Sequence, residues 1–230
     1  MKTIGLLGGM SWESTQTYYR LLNEGVKARL GGLHSAKLIL YSVDFAEIEA
    51  LQHQGNWSGT ASILSRAARS LEDAGADFLV IGTNTMHKVA PEIEQAIGIP
   101  LLHIADATAG VLKRDGVSSV GLLGTRFTME QDFYRERLEN CGIRVIVPND
   151  PERELIHRVI YEELCQGSIN QASKQAYLEI VTSLADRGGN AVILGCTEIG
   201  LLIQQSDTPV ALYDTTEIHA AQAVEKALST

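Results

Sequence analysis

The chain repeats itself. Ile4-Gly5-Leu6-Leu7-Gly8 returns as Val120-Gly121-Leu122-Leu123-Gly124, an offset of 116 residues, and the same offset superposes Tyr18 on Tyr134 and Leu22 on Leu138. A second match sets residues 74–85 (AGADFLVIGTNT) on residues 187–198 (RGGNAVILGCTE) at an offset of 113. A weaker third pairs residues 100–108 with 209–216. Three matches in one order at nearly one offset indicate a duplicated unit, and two copies are too few for a solenoid.

The unit is α/β. Short runs rich in Val, Ile and Leu predict strands at 3–7, 37–43, 78–81, 101–104, 119–123, 145–147, 191–194 and 210–213. Helical patterns separate them at 14–29, 60–73, 86–97, 108–113, 130–140, 151–165, 173–187 and 216–228. Continuous apolar strands alternating with helices imply parallel sheets covered on both faces. The expected architecture is therefore two similar parallel-sheet α/β domains. Residues 1–113 completed by 214–230 form one, and residues 114–213 form the other.

Composition excludes several classes. Hydrophobic residues make up 45% and charged residues 20% of the 230, which excludes a disordered chain. Nineteen basic against 28 acidic side chains leave a formal charge of −9, so no nucleic-acid partner is expected. No apolar run approaches the ~18 residues of a membrane span. The opening MKTIGLLGGM meets Trp12, Glu13 and Ser14 at once, and reads as a strand entering a glycine turn rather than a secretory leader. Three cysteines without a C-x-x-C pattern suit a reduced, cytoplasmic chain without disulfides or a zinc knuckle.

In parallel sheets ligands collect beyond the carboxyl ends of the strands. Thr83 and Cys196 occupy the same place in the two copies, just past an apolar strand and after a glycine. If the copies face each other about a pseudo-twofold axis, one cleft receives both groups. That geometry would exchange a proton on opposite faces of one carbon. A cysteine at a helix start should have its pKa lowered from ~8.5 toward neutrality, giving a thiolate base or nucleophile. The competing reading of Cys196 is a small buried thiol. Cys141 and Cys165 have no such setting.

Thr83-Asn84-Thr85 offers donors suited to a carboxylate, although the same residues serve as ordinary helix caps. Gly8-Gly9-Met10 departs from G-x-G-x-x-G, and no G-K-[ST] follows, so no nucleotide is expected. Trp12 reads as core or cleft wall. His87 reads as a surface or capping residue, with electrostatic tuning of the site as its alternative. Asp106 and Asp214 read as helix caps. The histidines show no metal-ligating spacing, so no metal is expected.

Gly82-Thr83-Asn84-Thr85, Gly195-Cys196-Thr197-Glu198, the start Ile4 to Ser11 and the stretch from Ser42 through Gln52 resemble the aspartate/glutamate racemase family over essentially the full length. The likeness is to its bacterial, broad-specificity branch. That resemblance implies pseudo-twofold domains with the active site between them, no pyridoxal phosphate or other cofactor, an amino-acid substrate, and an assembly that is often a homodimer. It also implies two cysteines flanking the substrate Cα. Carried over, Cys196 is one acid/base and position 83 the other, where this chain has Thr83. Substrate contacts map onto Met10, Gln52, Thr83, Asn84, Thr85, Thr197 and Glu198, the last through its backbone. A lysine near Cys165 and an arginine near Glu47 and Ile48, found in some aspartate-specific members, are missing. A hydroxyl is a poorer base than a thiolate, so unequal rates for the two enantiomers are expected. Rival readings are a single-cysteine decarboxylase or isomerase in the same cleft, and an amino-acid-binding protein without turnover.

Overall fold

Each half of the chain builds its own four-stranded parallel sheet in the computed structural model, which describes residues 1–229. The strands are β1 (Ile4–Gly8), β2 (Leu38–Ser42), β3 (Phe78–Ile81), β4 (Leu101–Leu102), β5 (Ser119–Gly124), β6 (Arg144–Ile146), β7 (Ala191–Gly195) and β8 (Ala211–Asp214). The first sheet has the order β2-β1-β3-β4 and the second β6-β5-β7-β8, every neighbouring pair parallel. The duplication read from the sequence thus reappears as one strand order used twice.

Helices α1 (Trp12–Leu30), α2 (Phe45–His53), α3 (Trp57–Asp73), α4 (Ala90–Ala96) and α5 (Ile104–Arg114) punctuate the first half. Helices α6 (Arg126–Glu130), α7 (Asp132–Glu139), α8 (Asp150–Glu162), α9 (Gln171–Asp186), α10 (Ile199–Leu202) and α11 (Thr215–Leu228) follow. Packing divides the chain into residues 1–104 with 219–230, and residues 105–218. These limits stand at 104/105 and 218/219, beside the expected 113/114 and 213/214.

The strand pattern explains the first unit. Ile4 and Leu6 of β1 and Phe78 and Val80 of β3 pack with Tyr18, Leu22 and Val26 of α1 and with Ala220, Ala223 and Val224 of α11. Leu7, Leu79 and Ile81 point to the opposite face, onto Leu64, Ala67, Ala68 and Leu71 of α3. In the second unit Leu123, Val192 and Leu194 meet Ile156, Val159 and Ile160 of α8 and Tyr177, Ile180 and Leu184 of α9. Each fully buried Val, Leu, Ile or Phe among them contributes roughly 1.5–3 kcal/mol of hydrophobic stabilisation. The repeated glycine inside the first strand of each copy has a packing reason. A Cβ at Gly5 would lie 2.9 Å from Ala76 Cβ, and one at Gly121 would lie 2.8 Å from Leu184 Cδ1.

Several expected elements differ in detail. Residues 86–97 are not one helix: a 3-10 turn, Thr85–Val89, precedes α4, whose first turn holds Pro91. Proline lacks the N–H that a continuous helix would need there. Residues 130–140 divide at Gln131, which is extended at φ −95° and ψ 151°. Helix α2 was not anticipated, because only Ile48 and Gln52 of its nine residues are buried and the apolar period is weak. Trp12 is exposed (65%) on the first turn of α1, so it is neither core nor wall within its unit. Asp214 caps α11 by accepting from Thr216 N–H at 2.8 Å, as expected. Asp106 does not cap: α5 begins at Ile104, and the carboxylate instead pairs with Arg137 Nε at 2.7 Å.

The carboxyl end of the first sheet is tied down by His219 of α11. Its Nε2–H donates to the Leu102 carbonyl at 2.8 Å, which leaves Nδ1 to accept from the Tyr18 hydroxyl at 2.8 Å. Burial of this neutral ring pushes its pKa down to about 4, against an ordinary 6.5. The unfolded chain therefore takes up this proton first as pH falls. His219 stabilises the fold fully above pH 6.5 and loses that contribution between pH 6.5 and about 4, a loss of about 3 kcal/mol. Urea unfolding at pH 7 and at pH 4.5 should show it. The His219→Gln variant should be less stable at pH 7 and have a shallower dependence on pH, and an unchanged slope would contradict the assignment.

Candidate active site

Parallel order puts the carboxyl ends of all strands of a sheet on one edge. At that edge of the first sheet lie Met10 after β1, Gln52 on α2, and Thr83, Asn84 and Thr85 after β3. At the corresponding edge of the second sheet lie Cys196, Thr197 and Glu198 after β7. The residues predicted from sequence thus form two groups, one on each unit.

In the first group the turn after β1 leaves little room. Gly9 has φ +90°, and a Cβ there would collide with the carbonyl of Val43, while its N–H donates to Thr15 Oγ1 at 2.7 Å. The turn is closed against its neighbours, not shaped to cradle a phosphate. Met10 is buried in one apolar cluster with Met86, and Gln52 Nε2 donates to Met86 Sδ at 3.8 Å. Gln52 is 3% exposed, and its buried Oε1 has no hydrogen-bond partner among the described residues. An acceptor held in that way is ready for a donor from outside.

The segment after β3 is pinned on both sides of Thr83. The Ser14 hydroxyl donates to the Gly82 carbonyl at 2.9 Å, and the His87 ring bonds the Thr83 carbonyl at 2.8 Å. Thr83 stays half-buried while Asn84 and Thr85 are buried. Asn84 stands at the start of the 3-10 turn without making a side-chain cap, so the capping account of this residue does not hold. His87 is 1% exposed, which overturns its reading as a surface residue, while its Nε2 accepts from the N–H of Ile104 at the start of α5, in keeping with a capping role. The signal for it was the i, i+4 spacing from Thr83.

In the second group the Cys196 thiol donates to Glu198 Oε2 at 3.1 Å. Glu198 is 5% exposed, so this carboxylate is a buried side chain and offers the thiol more than its backbone. The Cys196 residue keeps part of its surface in solvent, but protein crowds its sulfur and burial pushes the thiol well above its ordinary pKa. The Glu198 carboxylate and the neighbouring Cys165 thiol push the same way by disfavouring another negative charge. The expected fall toward neutrality is therefore corrected. Helix α10, Ile199–Leu202, is a single turn that begins beyond Cys196, and its weak dipole is outweighed by desolvation. Cys165 is half-buried against the same apolar cluster, and all three cysteines are free thiols. Among the described residues no three His, Cys, Asp or Glu side chains gather as a metal site requires, and no helix is long and apolar enough to cross a membrane.

The family model described as Asp/Glu/hydantoin racemase matches residues 7–223. The chain belongs to that family. It is an amino-acid racemase, an isomerase. A structure from Yersinia pestis that is named for the Asp/Glu racemases is 58% identical with a TM-score of 0.94, each chain covered over 100%. An aspartate racemase homologue from Pyrococcus horikoshii OT3 is 38% identical with a TM-score of 0.87, again over 100% of both chains. The broad specificity amino-acid racemase RacX of Bacillus subtilis is 24% identical over 98% of each chain.

For this racemase the raised thiol has a direct chemical signature. Alkylation of Cys196 by iodoacetamide, followed by peptide mass spectrometry, should still be accelerating with pH beyond about 8.5, where an ordinary thiol levels off. Glu198→Gln removes one of the charges that hold the proton on sulfur, so it should move the Cys196 curve to lower pH. A curve that saturates near neutrality in the parent protein would refute the buried, protonated thiol.

Proposed function

We propose that the racemase interconverts the L and D forms of aspartate and glutamate, or of a broader set that includes neutral relatives such as homoserine, without a cofactor. Cys196 exchanges the Cα proton on one face of the substrate and Thr83 occupies the other. The observation that carries the reading is a thiol hydrogen-bonded to a buried carboxylate at 3.1 Å, at the strand end that the internal repeat equates with Thr83.

The protein atoms suit the steps. Glu198 takes the proton from the thiol, leaving a thiolate that is strongly basic because it is desolvated. The sulfur removes the proton from Cα, the C–H bond breaks, and its electron pair spreads into the substrate carboxylate. Asn84, Thr85 and the N–H groups of their turn hold that carboxylate and meet the growing charge. The Gln52 Oε1, buried and without a partner among the described residues, accepts from the substrate ammonium. Met10 packs beside it, and Thr197 completes the wall on the side of Cys196. A new C–H bond forms on the opposite face with the Thr83 hydroxyl proton, which is replaced from water, and the proton held by Glu198 returns to solvent, restoring the carboxylate and neutralising the hydroxide. A hydroxyl accepts a Cα proton far less readily than a thiolate, so the two enantiomers react at unequal rates. The exposed aromatic side chains Trp12 and Tyr19, seven residues apart on one face of α1, support a homodimer in which a second copy covers them.

In D₂O the purified protein should place deuterium at Cα of aspartate, glutamate or homoserine, read by NMR and chiral chromatography. Cys196→Ala should lower exchange by about 10²–10⁴-fold. Exchange at the parental rate in that variant would defeat the assignment of Cys196, and no exchange with any proteinogenic amino acid would defeat the proposed racemisation by these residues.

A further inference from the structure

His87 belongs to no group assigned above, yet it is buried beside the residue proposed for the second face. Its two ring nitrogens meet backbone groups of fixed polarity. The Ile104 N–H donates to Nε2 at 3.2 Å, and a backbone N–H can only donate. Nδ1 lies 2.8 Å from the Thr83 carbonyl, which can only accept. These contacts admit a single arrangement: a neutral ring with its proton on Nδ1, given to Thr83, and a lone pair on Nε2, given to Ile104. Two more imidazoles enclose it, His103 at 4.5 Å and His219 at 5.8 Å between ring centres. With the Gly82 carbonyl held by Ser14, the peptides on both sides of Thr83 are fixed from outside the segment.

We infer that His87 is a positioning residue for the Thr83 face: its Nδ1–H sets the backbone of Thr83, and so the direction of the hydroxyl that serves this face of the substrate. The inference rests on the reading of Thr83 proposed above. An apolar ring of the same size would fill the space but leave the Thr83 carbonyl without its donor. The role concerns only one face. Proton exchange by Cys196 with return to the same face does not depend on His87, whereas inversion does.

Two substitutions divide the ring's two hydrogen bonds. In His87→Asn the amide Nδ2 stands where Nδ1 stood and still donates to Thr83. In His87→Gln the amide oxygen reaches the place of Nε2 and still accepts from Ile104, but the donor to Thr83 is lost. The measurement in D₂O is the ratio of inversion to deuterium uptake with retention, followed by chiral chromatography with mass detection. His87→Gln should lower that ratio by about 10²-fold, the scale of an ångström-sized misplacement of a reacting group. His87→Asn should recover most of it. The opposite order, or a ratio unchanged in both variants, overturns the inference. It would then show that the ring serves only to hold Ile104 or to fill space. A second readout does not depend on turnover. Long-range ¹H–¹⁵N spectra of the parent protein should show the His87 proton on Nδ1, and a proton on Nε2 overturns the inference whatever the activity. Loss of all exchange in the parent with the Nδ1 tautomer intact would instead count against the racemisation reading while leaving the tie to Thr83 in place.

Discussion

The groups proposed to react, Thr83 and Cys196, are held by strands that are buried on both faces. All four residues of β3 and all five of β7 are inaccessible to solvent, each strand lying inside its sheet with a neighbour on either side. Such strands cannot slip by one residue, because a slip would send every side chain to the other face and break both apolar layers. The residues immediately past their ends inherit that precision. Thr83 and Cys196 start from positions set by the cores behind them, Leu79 and Ile81 in one unit and Val192 and Leu194 in the other.

The two strand ends then diverge in their electrostatics. After β7 a buried carboxylate lies against a thiol, and desolvation with like charge keeps the proton on sulfur. The resting group is an acid. Its conjugate base, once formed, is stronger for having been raised, which suits a carbon acid as weak as an amino acid at Cα. After β3 the matching position holds only the hydroxyl of Thr83, which carries no charge in the ordinary pH range. One copy of the ancestral unit keeps a group that can carry charge, and the other keeps one that cannot.

The neutral histidines follow the same rule. His219 donates to the Leu102 carbonyl and accepts from the Tyr18 hydroxyl, and His87 is bonded by the Thr83 carbonyl and the Ile104 N–H. An acceptor facing one nitrogen and a donor facing the other hold each ring in one tautomer. The edge of the first sheet is therefore ordered by hydrogen bonds that carry no net charge, which costs less desolvation than ion pairs in the same place.

Much of this was legible in the residues alone. The repeats near residues 4, 74 and 120 set the number of units, the alternation of apolar strands and helices set the α/β class, and β3 coincides with the predicted 78–81. Apolar periodicity records which side of an element faces a core, so it survives as pattern. Other features were decided only by the folded chain. His87 and Trp12 exchanged their expected places, the first buried and the second exposed, because burial depends on what packs against a helix as well as on where the helix begins. The pKa of Cys196 turned the other way from expectation for the same reason. A helix start is visible in sequence, but the desolvation of a sulfur and the turning of the nearby Glu198 carboxylate onto it at 3.1 Å are decided only by the packing around them.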